Sequence, residues 1–281
     1  MVNAGGSASP GLDGARLLDS GAEAEIYEWG EGRVLRLLRE DAAARRGDTG
    51  PEVAAMRAAS DAGVPVPGVY DVIEVDGRPG IVMDRVDGGS MGDAIVGRPW
   101  QVFKLTRRFA EIQAALHGLA APAGMTSTHE RAAGRIARLP DDEAALRRYG
   151  EGLLGELPAG EALLHGDFHP LNLLMAESGP VVIDWPNASA GPPEADVAMT
   201  SLLIEVGTPP NGMPFVLGLI GLFRKRVFIP RYLAYYAANR PLDRELVERW
   251  RIVCAIQRLA AGPPGERPAL LAILREAGAP V

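Results

Sequence analysis

Cysteine is nearly missing from this 281-residue chain, where Cys254 stands alone. One thiol cannot close an internal disulfide, which fits a reducing, cytoplasmic setting. No His or second Cys lies near it and the surrounding pattern is helical, so a core position is expected rather than a nucleophile or zinc ligand. Long apolar runs are missing too. The most apolar neighbourhood, Phe215 to Phe223, is closed by Arg224-Lys225-Arg226. A membrane span needs about 20 apolar residues, so a buried helix followed by a solvated or site-facing basic turn is expected, and no membrane partner. Residues 1–13, rich in Gly, Ala and Ser, lack the basic start and apolar run of a secretory signal and read as a disordered lead-in. There is no basic stripe interleaved with aromatics, which argues against nucleic acid as a partner.

The remaining composition suits one large domain or two lobes. The net charge of −7 is uneven. Residues 201–281 hold eleven Arg/Lys against six Asp/Glu, a net of +5, and the first 200 residues hold 18 against 30, a net of −12.

Short strands are predicted at Arg16 to Ser20, Ala24 to Trp29 and Arg33 to Leu38, with Gly30-Glu31-Gly32 as a turn. Thr49 as N-cap and Pro51 in the first turn open a helix that carries Glu52 and Met56 and stops near Gly63. Strands at Val69 to Val75 and Gly80 to Asp84 follow, joined by an Asp76-Gly77 hairpin turn. Asp87-Gly88-Gly89-Ser90 is a natural hinge. Beyond it the periodicity is helical, at Trp100 to Leu119, 129–138, 141–155, Ala195 to Glu205, Arg231 to Ala238, Asp243 to Ala260 and Pro268 to Ala277. The fold expected is α+β. Residues 14–86 make a small antiparallel sheet with one helix, and residues 87–281 make a mainly helical lobe.

The chemistry concentrates in Leu163-Leu164-His165-Gly166-Asp167-Phe168-His169-Pro170-Leu171-Asn172, followed by Val181-Val182-Ile183-Asp184-Trp185. An Asp, an Asn five residues on and a second Asp after an apolar run have the spacing of a phosphoryl-transfer site. Asp167 suits the acceptance of a hydroxyl proton. Asn172 and Asp184 supply the hard oxygen donors that Mg²⁺ takes on nucleotide phosphates.

This segment resembles the aminoglycoside phosphotransferase and choline kinase-like family, which writes His-Gly-Asp, four residues, Asn, and then Ile-Asp-Trp or Ile-Asp-Phe. The resemblance spans roughly residues 15–260 and is specific in these motifs. It implies a two-lobed protein-kinase-like fold with an ATP or GTP co-substrate, Mg²⁺ and a small-molecule hydroxyl acceptor. It implies that His165 braces the loop and that the backbone at Met83, Asp84 and Arg85 reads the adenine edge. Asp196, in Gly191-Pro192-Pro193-Glu194-Ala195-Asp196-Val197-Ala198, matches a family Asp that anchors the next helix and supports the loop. His117 matches a leucine-histidine helix end and reads as packed or capping, and Trp185 as packing.

The chain departs from the pattern in three places. Its only lysines are Lys104 and Lys225, so Arg36 stands where a kinase places the phosphate-binding Lys, with Glu52 as its partner. The Gly21-Ala22-Glu23-Ala24-Glu25 loop has one glycine. Leu171 occupies a place the family gives to a small residue. The reading is therefore an O-phosphotransferase. Its rivals are a nucleotide-binding pseudokinase scaffold, favoured by Arg36, and a nucleotidyl transferase on the same fold. The basic C-terminal part lowers the expectation of a strongly cationic acceptor. Tyr232, Tyr235 and Tyr236 read as packing residues more than as a pocket wall.

Overall fold

A computed structural model describes residues 12, 14–207 and 221–281. The lead-in therefore lies outside the described residues except for Leu12, as does the apolar run up to Ile220. The first part is a five-stranded sheet of β1 (Leu17–Ser20), β2 (Ala24–Glu28), β3 (Arg33–Leu38), β4 (Val69–Val75) and β5 (Arg78–Asp84), in the order β1-β2-β3-β5-β4. All neighbours are antiparallel, as short connections allow. The Asp76-Gly77 turn takes positive φ at both residues, 51° and 72°, the geometry that matches a hairpin's twist.

Strand β3 is central and covered on both faces. Leu35 and Leu37 pack with Val75 and Val82 on one face. Alternation turns Arg36, opposite Ile26 and Ile81, to the other face, where α2 (Gly50–Asp61) brings Glu52.

The sheet carries two helices, not the one expected. The additional helix, α1 (Glu40–Arg46), starts with two acids, runs through three alanines and ends at Gly47 with φ 79°. Its two turns are too short to show an apolar period. Thr49 sits at the start of α2, but its hydroxyl makes no capping bond. Its ψ of 5° is not extended, and Asp48 instead takes the Gly50 N–H at 2.8 Å.

The linker between lobes is stitched to the second lobe. Ser90 and Asp93 form a capping box that starts α3 (Met91–Gly97), a helix the sequence reading left unassigned. The Met175 N–H donates to the Gly89 carbonyl at 2.9 Å. At Gly88, φ is 145° and an added Cβ would lie 2.3 Å from the Met175 carbonyl oxygen, so only glycine fits.

The second lobe is built on α4 (Val102–Leu116), α5 (Thr128–Ile136), α6 (Ala144–Glu156) and α7 (Pro193–Val206). Helices α8 (Ile229–Asn239), α9 (Arg244–Ala261) and α10 (Arg267–Glu276) complete it. Short strands β6 (Ala162–Leu164), β7 (Leu173–Ala176), β8 (Gly179–Val182) and β9 (Ser189–Gly191) pair as β6–β9 and β7–β8. They hold the motif loops between them.

Residues 221–223 are helical, but Leu222 and Phe223 are exposed rather than buried. Arg224–Phe228 is a π-helical turn running directly into α8, not the loop turn expected for the basic triplet. The Arg224 guanidinium donates to the Gly207 carbonyl, and Lys225 pairs with Glu205 at 2.7 Å. Cys254 is buried on α9, as expected, and burial pushes its thiol up to about 12. Among the described residues no helix is long and apolar enough to cross a membrane.

An aromatic cluster fixes the motif loop to this core. Phe109 of α4 lies 4.5 Å from Phe168, 5.4 Å from Tyr232 and 6.1 Å from Phe228, centroid to centroid. Both Phe109 and Phe168 are fully buried. Phe109→Ala is expected to cost about 3–5 kcal/mol, read as a lower denaturation midpoint at unchanged slope. A loss below about 1 kcal/mol would show that the site collapses around the cavity.

Candidate functional site

The site is assembled on the His165–Asn172 loop between β6 and β7 and on the turn after β8. Gly166 has φ 77°, and a Cβ there would lie 2.4 Å from the Asn187 carbonyl oxygen. The motif glycine is therefore required by both conformation and space.

Asp196, at the start of α7, carries the loop from below. Its Oδ1 accepts the Gly166 N–H at 2.7 Å, and its Oδ2 accepts the His165 N–H at 3.2 Å. Oδ2 also accepts from Gln113 Nε2 and His117 Nε2, each at 3.0 Å. The carboxylate is fully buried. Burial acts to raise its pKa, but hydrogen bonding and charge from His117, with His165 and Gln113 adding, hold it at about 2.

The network reaches further. His117 Nδ1 meets the Tyr236 hydroxyl at 2.7 Å, and the Tyr232 hydroxyl donates to Gln113 Oε1. Burial raises both tyrosine pKa values, so these phenols stay protonated. Tyr232 and Tyr236 are thus buried hydrogen-bonding groups. Tyr235 is partly exposed, with the Arg107 guanidinium 5.2 Å from its ring centre. His117 is packed, as expected. Gln113 was not foreseen, although a polar residue on the buried face of α4, four before His117, is a signal for such a network.

Above this anchor, His165 Nε2 contacts the Ile183 carbonyl at 3.0 Å and its Nδ1 accepts the Asp167 N–H at 3.3 Å. The imidazole thereby ties the loop to the segment after β8, next to Asp184. Trp185 lies against it, 4.7 Å between ring centres, and its Nε1 donates to the Val182 carbonyl at 3.1 Å.

Asp167 remains partly exposed, its side chain at 22%. Asn172 Nδ2 donates to the Asp167 carbonyl at 3.0 Å and to its Oδ2 at 3.3 Å. The amide nitrogen is turned toward Asp167, so the side-chain Oδ1 of Asn172 faces away from that carboxylate. His169 Nε2 lies 3.8 Å from Asp167 Oδ2, and its Nδ1 accepts the Leu171 N–H. Burial pushes the His169 pKa down, more than the Asp167 charge pushes it up, so the ring is neutral at pH 7. Leu171, the oversized loop residue, is half-exposed.

Asp184 follows β8 in left-handed backbone, φ 65°, with a well-exposed carboxylate. Arg36 reaches it from the sheet. The Arg36 guanidinium lies 3.2 Å from Glu52 and 3.6 Å from Asp184, and is itself buried. The predicted Arg36–Glu52 pair is therefore present, and one arginine joins three of the expected site residues. The charge is not stranded, because carboxylates meet it from both lobes.

At the linker, the Asp84 and Arg85 N–H groups are already used, bonding to the Gly68 and Gly32 carbonyls at 3.0 and 2.9 Å. The Asp84 carboxylate accepts from the Gly68 N–H and the Tyr70 hydroxyl, and Arg85 pairs with Glu28 and Asp87. Val86 is the first linker residue whose N–H has no partner among the described residues. At the single-glycine loop, the Gly21 N–H closes on the Ala24 carbonyl and Arg39 Nε donates to the Gly21 carbonyl at 3.0 Å. An arginine thus pins the turn.

Residues 14–223 match the model of the phosphotransferase enzyme family, designated APH. The chain belongs to that family.

The solved structures similar to it include amicoumacin kinase hAmiN in complex with AMP-PNP, Ca²⁺ and Ami, at 14% identity and TM-score 0.65. That match covers 94% of this chain and 87% of the other. A thermostable mutant of aminoglycoside phosphotransferase APH(4)-Ia, in ternary complex with ADP and hygromycin B, matches at 16% and 0.62, covering 93% of each chain. A choline/ethanolamine kinase family protein from Mesorhizobium loti matches at 18% and 0.61, covering 92% of this chain and 87% of that one. These likenesses show the two-lobed, kinase-like α+β fold. No curated protein matches the sequence.

The depressed Asp196 pKa has a pH consequence. A carboxyl held at about 2, against an ordinary value of 3.8, stabilises the fold fully above pH ~4. That contribution, about 2 kcal/mol, is lost as pH falls from ~4 through 2. Asp196→Asn is expected to flatten this part of the acid-unfolding curve, and an unchanged acid slope would remove Asp196 as its source.

Proposed function

We propose that this protein is a small-molecule O-phosphotransferase that uses ATP or GTP, with Asp167 as base and Mg²⁺ held by Asn172 and Asp184. The observation that carries the reading is the pairing of Asn172 with Asp167 and of Arg36 with Asp184, the two joined through the Ile183 N–H on the Asn172 backbone carbonyl at 2.9 Å, within a chain of the phosphotransferase family. The neighbours bound to AMP-PNP or ADP support a nucleoside triphosphate as co-substrate.

The donor set fits Mg²⁺. The Asn172 Oδ1 and the exposed Asp184 carboxylate are hard ligands, and Mg²⁺ binds through one or two such groups plus phosphates. Asn172 and Asp184 would hold the ion together with nucleotide phosphates. When bound, the ion neutralises charge on the transferring phosphoryl group.

The chain's own residues do the rest. Adenine's polar edge is read by backbone at Met83–Arg85, extended to the Val86 N–H. Arg36, held by Glu52 through one nitrogen, points its other nitrogen toward Asp184, the side from which it would reach the phosphates. Asp167 orients the acceptor hydroxyl. The hydroxyl oxygen bonds to the γ-phosphorus as the bond from that phosphorus to the β–γ bridging oxygen breaks, and the electron pair leaves with the nucleoside diphosphate. The hydroxyl proton passes to Asp167 late in the transfer. The neutral His169, beside Asp167 Oδ2, adds no charge that would weaken the base. His165 and Asp196 position the loop and touch no substrate.

Thermal unfolding with Mg-ATP or Mg-GTP tests the nucleotide site. At about 100 times Kd the gain is about 2.7 kcal/mol, and it is expected to vanish in Asp184→Asn. Asp167→Ala is expected to keep that gain while transfer falls by at least ~10³-fold; full retained transfer would remove Asp167 as base. Arg36→Ala is expected to weaken nucleotide binding, with Arg36→Lys keeping much of it. Label moving from the γ-phosphate supports the kinase reading, and label moving from the α-phosphate supports nucleotidyl transfer. Binding without any transfer is the mark of a pseudokinase.

A further inference from the structure

The loop that carries the base also carries an apolar side chain in the open. Leu171 directly precedes Asn172 and is 50% exposed. Its N–H donates to His169 Nδ1, and the other nitrogen of that ring lies 3.8 Å from Asp167 Oδ2. The backbone of Leu171 is thus held by the immediate neighbour of the base.

The Leu171 side chain leans on α3. A Cβ added to Gly92 would lie 2.6 Å from Leu171 Cδ2, so the leucine packs onto the bare backbone of that glycine. Val96 stands on the same face one turn later, about 6 Å along the helix. It is 79% exposed. Trp100 follows in the one-turn helix Pro99–Gln101 and is 75% exposed. The start of α3 is anchored just beyond Asn172, because Ser90 bridges Leu174 and Gly89 accepts the Met175 N–H. Leu171 and α3 therefore form one ledge, fixed to the loop of Asp167 and Asn172 and joined directly to the linker between lobes.

The ledge offers almost no charge. The one ionisable side chain of α3 is Asp93, and its Oδ2 is spent on the Ser90 N–H and hydroxyl at 3.1 and 2.6 Å. Single exposed apolar side chains are ordinary, but a contiguous set that starts at a motif loop marks a surface covered in use. Three side chains expose far less than the ~800 Å² a side that a stable protein interface buries, so a small molecule fits better than a second protein.

We propose that the acceptor carries an apolar group, aliphatic or aromatic, next to the hydroxyl that is phosphorylated, and that Leu171 and Val96 bind that group, with Trp100 extending the ledge outward. The inference rests on the phosphotransferase reading and names its substrate class. The apolar part of the acceptor lies on the ledge while Asp167 takes the hydroxyl. The bulk of Leu171, where the resembled family has a small residue, then sets specificity.

The test uses the full chain with Mg-ATP and two series in which only the apolar part grows: methyl, butyl and hexyl β-D-glucoside, then 1,2-propanediol, 1,2-butanediol and 1,2-hexanediol. Within a series kcat/KM is expected to rise roughly 2- to 4-fold per added methylene, through KM. Leu171→Ser and Val96→Asp are each expected to raise KM for the hexyl members about 10-fold, to move the shortest members less than about 2-fold, and to keep Mg-ATP protection against unfolding. Val96 is exposed, so Val96→Asp decides the matter even if Leu171→Ser fails to fold. A flat series, a preference for the shortest members, or an apolar preference that neither variant moves would overturn the proposal. So would self-association of the unaltered chain that Val96→Asp abolishes with the preference intact, which makes the ledge a contact between copies. No transfer to any member while Mg-ATP still protects against unfolding also overturns it and leaves the nucleotide site standing. Absence of that protection in the unaltered chain strikes the phosphotransferase reading itself, and this inference with it.

Discussion

The buried Asp196 carboxylate is the constraint on which the site hangs. Two of its bonds go to consecutive backbone N–H groups, of His165 and Gly166, in a loop that has no helix or strand to satisfy them. Two more go to side chains of α4, and those side chains are held by tyrosines of α8. Three separate stretches of chain thus meet at one carboxylate, and α8 backs the contacts. An ion buried this deeply is tolerable only because its oxygens are saturated with donors. The same saturation leaves the loop little freedom to place Asp167 elsewhere.

The two lobes are joined by a different interaction. Arg36 sits on the best-covered strand of the sheet and spans from Glu52 of the first lobe to Asp184 of the second. A lysine at this position would offer three donors on one compact nitrogen. The guanidinium presents separate nitrogens to the two carboxylates, which explains how the arginine keeps the Glu52 pair and still extends into the cleft. The departure from the usual lysine is thus accommodated by geometry already present in β3 and α2.

The fold was legible where period and turn chemistry were strong. Strands β3 and β4 begin and end as expected, and the Asp76-Gly77 hairpin and the long helices followed from local pattern. Helices α1 and α3 were not legible, because two turns cannot display an apolar face. Thr49 misled because its backbone is set by the preceding loop, which let Asp48 take the free donor. The residues of the site were readable because phosphoryl transfer demands particular donor types at fixed spacing. The structure joins Asn172 to Asp167, ties the Asn172 backbone to Ile183 beside Asp184, and sets His165 and Asp196 against the same loop. Gln113 was not readable, since its part in the network depends on partners from distant segments, Asp196, Thr200 and Tyr232.

Asp184 occupies left-handed backbone, a conformation that costs most side chains about 1 kcal/mol or more and glycine nothing. The position therefore stores local strain at the residue that carries the exposed carboxylate. A substitution there reports two quantities at once, the loss of the charge and the change in strain. Alanine confounds them, glycine removes both, and asparagine removes the charge while tolerating the same φ. Stability and function are set against each other at this residue, and a variant that gains heat resistance by relaxing it gives up the oxygen that the rest of the cleft is arranged to present.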